Sequence, residues 1–268
     1  MTDALERIAA ALERLSPPPT PAGDPTSHPA YVWRGATLTA ARQFAPLPLD
    51  LLIGVERQKQ ALTENLRRHA RRAAAHDVLL WGARGTGKSA LVKSSIAAVQ
   101  AEGGDIALVE VAAPTTLPAL FAVLGQVDRA FALFLDDLGF DDPGDARTLR
   151  SLLEGVAEAR PDNVRLVVTA NRRHLVPRDI AEQDSAINVR DSVDDHLALA
   201  DRFGLSLGFH VLDQDGYVAI VEAYGRRFGL AVDPADAIGW ATKRGSRSGR
   251  VAWQYIVEIA GREGRVLA

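Results

Sequence analysis

The chain has 268 residues, 47% of them hydrophobic and 24% charged, with a formal net charge of −3. It can bury a full core in one large domain or two smaller ones, and no apolar run approaches the ~18 residues that a membrane helix needs. Cysteine is absent, which excludes disulfides, thiolate zinc sites and cysteine nucleophiles, and the charge balance gives no global basic footprint for nucleic acid.

The start, Met1-Thr2-Asp3, lacks a basic and apolar leader pattern, so the cytoplasm is the expected compartment. Leu5, Ile8, Ala9, Leu12 and Leu15 mark one face of a short helix over residues 1–16. Such a stripe cannot bury itself; it docks on its own domain, binds a partner or self-associates. Prolines in a polar setting then read as an extended linker over 17–30, and Tyr31, Val32 and Trp33 restart packing. Leu49 to Val55 precedes a helix carrying Leu62 and Leu66. Its Ile53, Gly54 and Val55 are candidates to cradle an adenine ring, with plain core packing the equal alternative.

Val78 to Trp81 is a buried-strand pattern, and Leu91, Val92, Ile96 and Val99 recur at helical spacing before Gly103-Gly104. Between them Gly82-Ala83-Arg84-Gly85-Thr86-Gly87-Lys88-Ser89-Ala90 contains the spacing G-x-x-x-x-G-K-[ST]. Glycines there let backbone N–H groups approach phosphate oxygens at a helix start; Lys88 is expected on the β- and γ-phosphates and Ser89 on Mg²⁺. Gly85, Gly87 and Ala90, with Glu110 further on, also fit a dinucleotide turn, but that turn has no use for a lysine followed by a metal-binding hydroxyl.

A second strand (Ile106 to Val111), a helix (Leu117 to Leu124) and a third strand (Phe131 to Leu135) follow, the last ending in Asp136-Asp137. A carboxylate at the carboxyl end of a buried parallel strand lies beside the phosphate loop. Asp136 is therefore the expected organiser of Mg²⁺, and Asp137 the group that orients or deprotonates water. After a helix of Leu149, Leu152, Leu153 and Val156, a fourth strand (Val164 to Ala170) ends at Asn171, an amide suited to bonding both γ-phosphate and water. Residues 177–195 read as a surface excursion before a helix carrying Leu197, Leu199 and Phe203, and Leu205 to Val211 is the fifth strand. The rest is helical. The predicted fold is α/β, a doubly wound five-stranded parallel sheet over 31–212 with a helical lid over 213–268.

A phosphate loop, a strand ending in two acids, a strand ending in Asn171 and a helical lid resemble the AAA+ class of ATPases. The runs Gly85 to Ser89, Asp136-Asp137-Leu138, Thr169 to Leu175 and Asp201 to Leu205 resemble more closely a bacterial AAA+ family of unknown function, over about Trp33 to Arg262. Arg202-Phe203-Gly204 is similar to the segment of replication-initiator ATPases that carries the arginine finger, which implies that role for Arg202. By the same resemblance Arg250, in Ser248-Gly249-Arg250, is the lid's sensor-2 arginine. Asp137 departs from the glutamate usual in the class.

The reading that follows is a Mg²⁺-dependent, homo-oligomeric ATPase acting on an unidentified protein or nucleic-acid client, with no membrane. The alternative is a slow-hydrolysing, ATP-gated scaffold or loader, possible for a DNA-associated complex. A small-molecule kinase would need an acceptor pocket in the lid. Lys243, Arg244, Arg247 and Arg250 form a local basic cluster that serves either the nucleotide or a phosphate backbone. The six histidines show no paired metal spacing.

Overall fold

The structure is a computed structural model that describes residues 23–138, 143–154, 160–171 and 202–267. The helix expected over 1–16, the first part of the linker, Arg172 to Leu175, the excursion over 177–195, Leu197, Leu199 and Asp201 all lie outside the described residues.

The strands are β1 (Ala30–Trp33), β2 (Leu38–Ala40), β3 (Val78–Gly82), β4 (Ile106–Val111), β5 (Ala130–Leu135), β6 (Val164–Asn171) and β7 (Leu205–Phe209). The main helices are α1 (Glu56–Ala70), α2 (Lys88–Ala101), α3 (Leu117–Leu124), α4 (Pro143–Glu154), α5 (Gln214–Phe228), α6 (Pro234–Lys243) and α7 (Gly249–Arg262). One sheet runs β2-β1-β4-β5-β6-β3-β7, parallel except for the β1–β2 hairpin.

The expected five strands are thus seven, because Tyr31, Val32 and Trp33 form a strand along β4 and turn back as β2. Nor are residues 23–29 free linker. Gly23 N–H donates to Leu38 O at 2.7 Å, Tyr31 OH donates to Asp24 O at 2.7 Å, and Arg129 donates to Pro25 O and His28 O.

Alternation along β5 shows why the sheet is covered on both faces. Phe131, Leu133 and Leu135 enter one cluster, under α3 and α4; Ala130, Ala132 and Phe134 enter the other, under Leu62 and Leu66 of α1 and Leu91, Val92 and Ile96 of α2. Full burial of side chains such as Phe131 and Phe134 is worth about 1.5–3 kcal/mol each. The last three helices pack around their own cluster, with Tyr217, Tyr255 and Ile256 at its centre and Leu51 joined to it. Asp213, Asp233 and Ser248 cap them by accepting from Gly216, Ala235 and Val251 N–H respectively. Among the described residues no helix is long and apolar enough to cross a membrane.

Candidate functional site

Strand register sets the site. Gly82, the last residue of β3, pairs with Asn171 on one side and Phe209 on the other, and Leu135 pairs with Val168. Asp136 and Asp137 therefore leave β5 level with Thr169 and Asn171, next to the loop that leaves β3. The loop is tightly enclosed at its start: a Cβ on Gly82 would lie 2.1 Å from Phe209 O, and its φ of 142° excludes ordinary side chains.

Lys88 opens α2 and is buried. Its Nζ donates to Gly82 O at 2.9 Å and Ala83 O at 2.8 Å, while Thr86 Oγ1 donates to Ala83 O at 2.8 Å, so these residues shape the loop. Burial pushes the Lys88 ammonium below the usual lysine range, opposed by Asp137 and Asp136. Leu91 N–H is the first to bond within α2, to Gly87 O, so the N–H groups before it face the loop as anion donors.

Ser89 Oγ donates to Asp136 Oδ1 at 2.6 Å, and Thr169 Oγ1 donates to the same oxygen at 2.7 Å. A hydroxyl and a carboxylate held together beside a phosphate cradle form a donor set that fits Mg²⁺, which takes one or two carboxylates and completes its shell with water and phosphate. Among the described residues no group of three His, Cys, Asp or Glu gathers to hold a metal by itself.

Asp137 stands at φ 51°. Its Oδ1 accepts from Asn171 Nδ2, its Oδ2 lies 3.4 Å from Arg84 Nη2, and its N–H donates to Thr169 Oγ1 at 2.7 Å. Thr169 thus ties both acids to β6, a role the sequence reading did not give it.

Two adjoining cavities meet at Gly85, Lys88, Ser89 and Arg250. The polar one, about 330 Å³, is lined further by Arg84, Asp136, Asp137, Thr169 and Asn171. The other, about 390 Å³, is walled by Leu47, Leu52, Ala90, Tyr224 and Trp253, an apolar enclosure of ligand-pocket size. Gly87 carries φ 93°, and a Cβ there would meet nothing within 4 Å.

Neither Ile53 nor Gly54, the expected adenine cradle, lines either cavity. Leu52, which ends the short 3-10 turn Leu49–Leu51, lines the apolar cavity, while Ile53 packs toward the C-terminal helices, as in the core-packing alternative, and Gly54 is exposed at φ 81°. The basic cluster also divides. Arg250 lines both cavities, Arg244 lies over the Trp240 ring 3.4 Å from its centroid, and Lys243 and Arg247 are exposed.

Ser248, buried at the start of α7, sits against the phosphate loop, 3.0 Å from where a Gly85 Cβ would be. Arg202 precedes β7 at the sheet's opposite end, on the order of 20 Å from Gly82 by strand rise, and lines neither cavity.

Comparisons with known proteins agree with this architecture. The family model described as "Protein of unknown function (DUF815)" matches residues 26–263. No curated protein matches the chain. Among solved structures, the Thermotoga maritima RuvB Holliday junction branch migration motor is 20% identical with a TM-score of 0.53, covering 83% of this chain and 68% of that one. The Aeropyrum pernix ORC1 protein in complex with DNA is 19% identical with a TM-score of 0.58, covering 83% of this chain and 65% of that one. A mutant form of the same RuvB is 20% identical with a TM-score of 0.52; 79% of this chain is covered, which spans just under two thirds (64%) of the mutant's. At these identities the likeness establishes the fold alone, an α/β architecture with a mostly parallel sheet.

Proposed function

We propose that this chain, which belongs to the family of unknown function matched by residues 26–263, binds ATP with Mg²⁺ and hydrolyses it. The observation that carries the reading is the convergence of Lys88, the Ser89–Asp136 pair and Arg250 on one polar cavity that opens into an apolar one. A polyanionic tail and a flat apolar base need those two compartments side by side. Charge that spreads over the γ-phosphate oxygens during transfer is met by fixed positive groups and the cation, which is where most of the catalysis of phosphoryl transfer lies.

In this reading Lys88 and Arg250 neutralise phosphate, Ser89 and Asp136 hold Mg²⁺, and Asp137 with Asn171 orients the attacking water. Residues 213–268 act as a lid whose Ser248 and Arg250 respond to nucleotide. Arg202, remote from its own cavities, completes the site of a neighbour in a homo-oligomer. The DNA named for the ORC1 structure and the Holliday junction named for RuvB make nucleic acid the first client to assay. Calorimetric titration with ATP and Mg²⁺ tests the reading. Saturable heat is expected from the unmodified chain and none from Lys88→Ala; equal heats in the two would refute the site.

One observation favours the slower variant of this function, an ATP-gated scaffold or loader. Both oxygens of the Asp137 carboxylate are engaged, by Asn171 and Arg84, and the side chain is one methylene shorter than glutamate. Turnover far below one per second with tight ATP binding would support that variant.

A further inference from the structure

Helix α7 carries two stripes. The inward one, including Val251, Tyr255 and Ile256, is buried among the C-terminal helices. The outward one, Trp253, Val257 and Gly261 at intervals of four, forms with Trp240 and Arg244 an open groove of about 630 Å³. Val257 is 47% exposed, and a Cβ on Gly261 would meet nothing within 4 Å. A helical ridge with a glycine at one end allows close approach of another helix.

Charge borders the groove. Arg244 lies over the Trp240 ring and is exposed, and no ion pair engages it among the described residues. Arg262, at the other end, holds Glu258 at 2.9 Å.

We propose that this groove receives residues 1–16 of a second copy of the chain. Leu5, Ile8, Leu12 and Leu15 make a stripe of matching length. Glu6 and Glu13, seven apart, fall together on one flank of that stripe, where Arg244 and Arg262 can meet them, and Arg7 and Arg14 fall together on the opposite flank.

Reach selects a neighbour over the same chain. Gly23 is anchored beside β2, and five strand spacings, about 24 Å, separate β2 from the β3 loop on which the C-terminal helices sit. The groove lies beyond, on the outer side of α7. Residues 17–22, extended as a proline-rich tether, span about 19 Å. The groove shares Trp253 with the apolar cavity and no residue with the polar one, so the groove variants are placed at Val257, Gly261 and Arg244, outside both cavities.

A labelled peptide of residues 1–18, titrated into full-length chain carrying Ile8→Asp and Leu12→Asp, tests it by fluorescence anisotropy. Saturable binding is expected, weakened about tenfold or more by Val257→Asp or, as a second variant, Gly261→Leu. Arg244→Glu should weaken it too, with recovery by a peptide bearing Glu6→Arg and Glu13→Arg. In sedimentation without nucleotide the unmodified chain should associate at lower concentration than the Ile8→Asp, Leu12→Asp chain. Absence of saturable binding, indifference to both groove variants, or an unmodified monomer that excludes the peptide would each overturn the proposal, the last by placing the segment on its own groove. ATP titrations on the same samples read the nucleotide site separately.

Discussion

Thr169 offers the sharpest test of how the site is held. One buried hydroxyl accepts from Asp137 N–H and donates to Asp136 Oδ1, both at 2.7 Å. Thr169→Val keeps the shape and removes both bonds. Leaving the Asp137 N–H without its partner costs about 1–3 kcal/mol, and loss of a bond to a charged carboxylate about 1.5–3 kcal/mol. The added methyl returns about 0.8 kcal/mol by burial, and Ser89 still holds Asp136, so a net loss of about 2–4 kcal/mol is expected. For a chain of this size that lowers Tm by roughly 5–15 °C. With Asp136 held from one side only, Mg²⁺-dependent hydrolysis should fall roughly 10–100-fold, as for other supports of metal ligands. Thermal melts and ATPase rates across a Mg²⁺ series would compare the parent, Thr169→Val and Thr169→Ser. The serine variant should stay near the parent. A valine variant that melts within about 1 °C of the parent with the same Mg²⁺ dependence, or a serine variant equally damaged, would refute the reasoning.

His69 predicts a pH dependence. Burial lowers its pKa to about 4, with its Nε2 3.1 Å from Phe131 O. The unfolded chain therefore takes up a proton near pH 6.5 that the folded chain refuses until about pH 4; this contribution is complete above pH 6.5 and is lost as pH falls toward 4. About 2 kcal/mol should be gone by pH 5, and urea denaturation at pH 7.5 and 5 should show His69→Gln losing less than the parent. At the loop, Gly82→Ala drives a Cβ into Phe209 O and should destabilise far more than Gly87→Ala, whose Cβ meets nothing and whose cost is the backbone strain of about 1–2 kcal/mol. Similar melting temperatures for the two would contradict the packing. Arg202→Ala should lower turnover on the order of 10³-fold and leave ATP affinity nearly intact; equal losses in both would remove the finger role.

What the sequence discloses follows from how locally each feature is encoded. The β3–α2 segment is legible because strand, loop and helix are contiguous and Lys88-Ser89 names its chemistry. Asp136 and Asn171 are legible because each ends a strongly apolar run. The β1–β2 hairpin is not, since β1 has four residues and β2 three, and their pairing depends on β4, more than 65 positions away. The apolar wall is also hidden. Leu47, Leu52, Tyr224 and Trp253 come from separate segments, and each fits a simple core pattern; only Ser248 settling on Gly85 brings α7 over the loop. That Leu52 rather than Ile53 lines the cavity is hidden for a related reason: the two are adjacent in a tight turn, and their faces are set by the separate clusters they join.

The same local logic bears on Asp137, where glutamate is the residue the resemblance leads one to expect. At φ 51° a short carboxylate or amide is tolerated in a backbone conformation that costs most other residues about 1 kcal/mol or more. Asn171 and Arg84 then occupy both its oxygens. Aspartate here satisfies the turn and ties the carboxylate to two donors on the cavity wall. Asp137→Glu should accordingly lower Tm by a few degrees, through the backbone cost, and raise turnover several-fold, through a carboxylate that reaches further and is less constrained by its two donors. Single-turnover hydrolysis beside a thermal melt measures both terms. A glutamate variant that loses stability as expected but turns over more slowly would show that Asp137 already stands where the water needs it, and the slow-hydrolysing variant of the function would lose its support.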